Sequence, residues 1–178
     1  MLASLAVALA FAPPASAACP TDVAVQGELS CSSSFAGTVV HSDDSYLGGT
    51  CEDGLCYACG EPYANENQVA PEAVYSFTCQ LAGTVTMLIT DLTCDLDIYV
   101  LDDSCDPFGG CLMGSTAPYA ADDSVEFACT PGDVYYVVVE AYGTSHLDDA
   151  SGPCTDDGTA TGTVYDPSYT LSFDVSAS

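Results

Sequence analysis

The aspartates Asp95, Asp97, Asp102, Asp103 and Asp106 crowd around one short apolar run, Ile98-Tyr99-Val100-Leu101, in a chain with no lysine and no arginine. Hard carboxylate oxygens gathered in loops suit calcium, which takes roughly six to eight oxygen ligands in loose geometry. Asp95 and Asp97, two residues apart, project to the same side at the entrance of a strand, and Asp102, Asp103 and Asp106 gather in the following loop, which a Cys105–Cys111 bridge would close. Asp122 and Asp123 join them if the hairpin leading into Val125 returns to the Asp102 loop. These seven acids are the candidate metal site, with Ca2+ as its ion. The same residues have an alternative use as turn formers that cap strand ends by accepting backbone N–H bonds. An EF-hand is excluded, because the stretch from Asp95 lacks the central glycine and terminal glutamate of that loop. Asp43-Asp44, Asp148-Asp149 and Asp156-Asp157 contribute only if the fold gathers them.

Other reactive residues form weaker patterns. Cys51, Cys56 and Cys59, with His41 upstream, include a Cys-x-x-Cys that reads as structural disulfide material, with zinc or a redox dithiol as alternatives. Gly143-Thr144-Ser145-His146-Leu147 sets a serine beside a histidine, but adjacent side chains diverge and the second glycine of a nucleophile elbow is absent. Paired carboxylates act on glycosidic bonds in many hydrolases. Here there is no tryptophan platform and no arginine clamp to hold a sugar.

Charge narrows the partners. The chain has 178 residues, 26 aspartates and glutamates, two histidines and a formal charge of -26. Nucleic acids and anionic membranes are repelled, since their binding depends on lysine and arginine displacing counter-ions. Divalent cations and extracellular polymers, glycan or protein, remain as partners. A uniformly acidic surface also suits a salty habitat.

The apolar run from Met1 to Phe11 and the small residues Ala15-Ser16-Ala17 have the pattern of a signal peptide over residues 1–17. A lipid anchor on Cys19 is the alternative. Eleven cysteines behind an export signal imply disulfides, and Cys105 with Cys111, Cys19 with Cys31, and Cys79 with Cys129 are the expected pairs. An odd cysteine remains over, free, lipidated or intermolecular.

These residues need a scaffold, and the pattern predicts strands. Alternating or β-branched runs at 73–79, 84–90, 98–101, 125–129, 134–141 and 169–175 are separated by Asp, Gly and Pro clusters, with a further strand at 35–41. Pro131-Gly132-Asp133 is a turn between two of them. Tyr135 and Tyr136 must face opposite sides, one in the core and the other exposed or under a loop. The expectation is an all-β, antiparallel sandwich held by disulfides. Residues 18–70 form its cysteine-rich N-terminal part with one or two strands, and residues 71–176 form the remainder of the same domain.

The succession Val74-Tyr75-Ser76-Phe77, Gly83-Thr84-Val85-Thr86, Asp95 to Leu101, Pro131 to Val139 and Tyr169-Thr170-Leu171 resembles the bacterial pre-peptidase C-terminal domain. The resemblance spans about residues 35 to 176 and implies a secreted sandwich of jelly-roll type without catalytic residues. Some relatives bind calcium and extracellular polymers such as collagen. The functional expectation is a secreted, cell-surface or extracellular module for binding, adhesion or an export-accessory role, stabilised by calcium and not an enzyme. A small secreted hydrolase using acidic pairs and a structural envelope protein are the alternatives.

Overall fold

The computed structural model describes residues 19, 25–30, 33–39, 59, 72–93, 95–106, 109–117, 121–141 and 168–177. The signal peptide, Cys31, the acid pairs at 43–44, 148–149 and 156–157, both histidines and Ser145 lie outside them. The described elements are strands: β1 (Val25–Leu29), β2 (Ser33–Thr38), β3 (Glu72–Thr78), β4 (Gly83–Thr90), β5 (Leu96–Leu101), β6 (Cys111–Ser115), β7 (Asp123–Cys129), β8 (Val134–Ala141) and β9 (Ser168–Ala177). β1 and β6 have no counterpart in the sequence pattern. β1 interrupts its apolar residues with Gln26, Gly27 and Glu28, and β6 is a short Cys-Leu-Met-Gly-Ser run.

Two sheets form, β1-β3-β8-β5-β6 and β2-β9-β4-β7. With β1 set aside, the antiparallel pairs are nested: β2 with β9, β3 with β8, β4 with β7, and β5 with β6. The chain is therefore one long hairpin, with β2 to β5 as one arm and β6 to β9 as the other. Rolling it up closes each sheet through β4–β9 and β5–β8 pairing. That is a jelly roll. β1 adds to its five-stranded sheet as a parallel edge strand beside β3.

Period-two burial explains why these residues become strands. β7 alternates buried and exposed along its length, so Val125, Phe127 and Cys129 enter the core. From the facing sheet come Ala73, Tyr75 and Phe77 of β3, Ile98 and Val100 of β5, and Val137 and Val139 of β8. Phe77 meets Phe173 edge-on at 4.6 Å between ring centroids. The Tyr75 and Tyr169 hydroxyls bond across the sandwich at 2.6 Å; Tyr75 donates its one proton to Gln26 Oε1 at 3.3 Å, so Tyr169 is the donor to Tyr75. Tyr169 lies over Gly37, its cross-strand partner, where an added Cβ would come within 2.5 Å of the ring.

The Pro131-Gly132 turn forms as its sequence predicts. Asp133 N–H bonds Thr130 O at 3.1 Å with Gly132 at φ 93°, the arrangement of a type II turn. Cys79 N–H then bonds Asp133 O at 2.9 Å, which ties the end of β3 to the turn before β8.

Three disulfides join described residues. Cys79–Cys129 links the end of β3 in one sheet to the end of β7 in the other, as expected. The proposed Cys105–Cys111 and Cys19–Cys31 bridges do not form, since Cys105 pairs with Cys19 and Cys111 with Cys59. The reason lies in the turn between β5 and β6. Backbone bonds already close it, from Asp102 N–H to Gly110 O and from Gly110 N–H to Asp106 O, both 2.8 Å. Its two sulfurs instead hold distant residues against the outer face of the five-stranded sheet. There Cys19, Val74, Tyr99, Leu101, Tyr136 and Val138 make a second apolar cluster. Tyr135 faces the main core and Tyr136 this second cluster, both buried.

Cys19 is buried and its sulfur is bonded to Cys105, which excludes the lipid thioether on that residue. Cys31, Cys51, Cys56, Cys94 and Cys154 lie outside the described residues. The bond of Cys59 to Cys111 likewise removes it from a zinc or redox pair with Cys56.

Two outcomes are expected. Replacing both Cys79 and Cys129 by alanine, which opens a loop of 50 residues, lowers unfolding free energy by about 2–4 kcal/mol in urea titrations without changing the strand signature in circular dichroism. Tyr75→Phe and Tyr169→Phe each cost about 1–2 kcal/mol, and the double variant costs less than their sum because neither hydroxyl is then stranded; additive losses would show that the bond is idle.

Candidate functional site

β5 is buried at all six positions because both faces of its sheet are covered. Leu96, Ile98 and Val100 point into the main core, which sends Asp97, Tyr99 and Leu101 to the outer face. Strand register then extends the row. Asp97 pairs with Glu140 on β8, and Glu140 pairs with Glu72 on β3. Three carboxylates thus stand side by side on one face of three neighbouring strands, spaced by about 4.8 Å per strand. Glu72 is 6%, Glu140 0% and Asp97 2% exposed. Directly opposed like charges destabilise a sheet, so this row is a feature that the surrounding packing must offset.

Tyr99 tempers one end of it. Its hydroxyl donates to Asp97 Oδ2 at 3.3 Å, while its ring lies over Gly114, the cross-strand partner, leaving no space for a Cβ there. Burial pushes the Tyr99 phenol well above the usual tyrosine range, and the charges of Asp97, Glu140 and Asp123 push it in the same direction. It stays a neutral donor wherever the fold exists.

Asp123 is built differently. It opens β7 with its side chain fully buried, and its Oδ1 accepts from Ser115 Oγ at 2.5 Å and from Ala117 N–H at 2.8 Å. Its Oδ2 is buried with no hydrogen-bond partner among the described residues. Burial raises the Asp123 carboxyl above the usual aspartate range, against the opposing pull of its two hydrogen bonds. The side chain fastens the crossover from β6 in one sheet to β7 in the other.

The seven acids singled out by sequence therefore separate. Asp102, Asp103 and Asp106 lie in the turn at one end of the β5–β6 ribbon, whereas Asp95 and Asp97 mark its other end. Asp123 reaches that same end through Ser115 and Ala117 rather than the Asp102 turn, with Asp122 beside it and exposed. The length of β5, roughly 16 Å, divides the two groups. Asp95 is 7% exposed, and Asp103 and Asp106 are exposed. Asp102 Oδ1 accepts from Ser104 N–H at 2.9 Å and from the Ser104 hydroxyl, making an Asx turn laid over Gly110. Among the described residues no three acidic, cysteine or histidine side chains converge as a metal site requires.

Sequence reasoning missed Glu72 and Glu140. Both sit within apolar strands, where a lone acid is the only visible signal, and their alignment with Asp97 depends on pairing between remote segments.

No family model matches the chain, and no curated protein matches it. Among solved structures, it is similar to the pre-peptidase C-terminal domain of a collagenase from Bacillus anthracis. The two are 14% identical, the match covers 85% of this chain and 98% of that one, and the TM-score is 0.48. The jelly-roll assignment rests on the strand pairing described above. The disulfides indicate an oxidising environment.

The raised carboxyl of Asp123 sets the sign of one pH effect. A group that is harder to ionise when folded contributes stability below its unfolded value of 3.8, and this contribution is lost as pH rises through the folded value. Asp123→Asn, which keeps an oxygen for Ser115 and Ala117, is expected to flatten the decline in stability as pH rises above about 4. Urea titrations across that range check it; an undiminished slope in the variant would remove Asp123 as the source.

Proposed function

We propose that this chain is a secreted, non-catalytic jelly-roll module that binds an extracellular polymer, with calcium adding to its stability. The observation that carries the reading is where the facing carboxylates lie. Asp97, Glu140 and Glu72 are built into paired strands with at most 6% exposure, so a glycoside in solution does not reach them. An acid and base acting on a sugar must flank its scissile bond. The cavity beside β1, about 290 Å³, is lined among the described residues by Glu28, Leu29, Ser30, Phe77, Thr78 and Gln80, which include a single carboxylate.

The disulfides support life outside the cytosol, where such bonds persist. A closed sandwich pinned at β3–β7 and at the β5–β6 turn is a stiff platform, and a stiff platform loses little entropy when it docks. Support for calcium comes from charge. With 26 acids and no lysine or arginine, a divalent cation is the available means of lowering mutual repulsion, and the exposed Asp103 and Asp106 offer hard oxygens in a turn of fixed shape.

Thermal melting in calcium, in magnesium at equal ionic strength and in chelator tests the ion. Calcium at about 1 mM is expected to raise Tm by several degrees more than magnesium does. Equal melting in all three would remove calcium from the reading. Asp97→Asn is expected to leave adsorption to an extracellular polymer unchanged, whereas wild-type turnover that vanishes in this variant while the fold persists would establish a hydrolase instead.

A further inference from the structure

The bridges among the described residues have a connectivity that order along the chain does not favour. Cys19–Cys105, Cys59–Cys111 and Cys79–Cys129 are mutually interleaved, since all three loops open before any of them closes. Cys31, Cys51, Cys56, Cys59, Cys79 and Cys94 stand between Cys19 and its partner, and three cysteines stand inside each of the other two loops. No described bridge joins neighbouring cysteines. Each of two bridges also needs tertiary structure first. Cys79 and Cys129 lie at the ends of β3 and β7, in different sheets, so their sulfurs meet only once the sandwich closes. Cys19 and Cys105 are buried in the cluster that β3, β5 and β8 build from Val74, Tyr99, Leu101, Tyr136 and Val138, so the pairing of those strands precedes their bond.

We infer that this chain reaches its native bridges as the substrate of a disulfide isomerase, a partner that presents a reactive dithiol and exchanges mispaired bridges. Unfolded-chain statistics select the wrong pairs first. The probability of closing a flexible loop falls as about the 3/2 power of its length, so Cys105 meets Cys111, six residues on, about fiftyfold more readily than it meets Cys19 across a separation of 86. A chain that emerges N-terminus first also offers Cys19 the thiols of Cys31, Cys51 and Cys56 well before that of Cys105. Charge then slows self-correction. A thiol attacks as its thiolate, which neighbouring lysine or arginine favours; this chain has neither, and its 26 acids oppose a further negative charge. The attacking thiolate is therefore supplied from outside. It bonds to one sulfur of a mispaired bridge and displaces the other, which takes up a proton; a chain thiol then loses its proton, attacks the chain sulfur of the mixed disulfide and expels the partner's thiolate. One S–S bond is exchanged for another, so no oxidant is consumed.

The test starts from the full chain, reduced and unfolded, and refolds it at neutral pH with diamide, an oxidant that brings no thiol of its own. A parallel sample then receives a catalytic amount of a purified, reduced isomerase with a Cys-x-x-Cys site, and both are alkylated and their bridges mapped by mass spectrometry of unreduced peptides. Oxidant alone is expected to yield Cys105–Cys111 and pairs among Cys19, Cys31, Cys51 and Cys56. The isomerase is expected to convert these to Cys19–Cys105, Cys59–Cys111 and Cys79–Cys129 at least about tenfold faster than they rearrange unaided. An isomerase whose second active-site cysteine is replaced by alanine is expected to hold the chain as a mixed disulfide that a reductant releases. The native set forming in diamide alone as fast as with the isomerase would overturn the inference, and so would mispaired chains that the isomerase leaves unchanged.

Discussion

Every carboxylate in this chain must be accommodated without lysine or arginine, and the fold is arranged around that constraint. At two of the buried acids, neutral donors take the place of cations. Asp123 receives the Ser115 hydroxyl and the Ala117 amide, and Asp97 receives the Tyr99 phenol. The partly buried Asp102 is held by the amide and hydroxyl of Ser104. Neutral donors supply less than a paired charge would, and Asp123 shows the consequence in a carboxyl that ionises late and an oxygen left without a partner among the described residues. The acids are not a surface coat laid over an ordinary sandwich. Several of them are part of how its strands and turns are held.

Disulfides carry what salt bridges carry elsewhere. The nested hairpin closes each sheet by hydrogen bonds, but sheet-to-sheet contact relies on side-chain packing, and Cys79–Cys129 adds a covalent link there. The other two bridges leave the β5–β6 turn and fasten Cys19 and Cys59 onto the outer face of one sheet. Among the described residues the two outward faces consequently differ: one is apolar and buried and carries the acid row, and the other carries short hydroxyl side chains.

Much of the fold was legible from local pattern. β-branched alternation located β4, β7, β8 and β9 within a residue or two, and Pro131-Gly132 marked its turn, because strand and turn preferences depend on neighbours in sequence. β1 and β6 escaped because edge strands with glycine and few apolar residues owe their conformation to the strand beside them. The seven acids were legible as a group but not as an arrangement. Nothing local shows that a six-residue strand holds Asp102 and Asp97 apart, or that Glu140 and Glu72 stand in line with Asp97.

By itself the sequence determined the charge, the absence of cationic partners, the strand-rich class and the stock of sulfur available for bridges, since each is set by composition or by period-two patterning. Tertiary structure alone decided which cysteines meet, which acids share a row and which face carries that row. Those outcomes depend on register between strands far apart in the chain. A shift of one residue would exchange the two faces of any strand and send Asp97 inward, into the main core, and Ile98 outward.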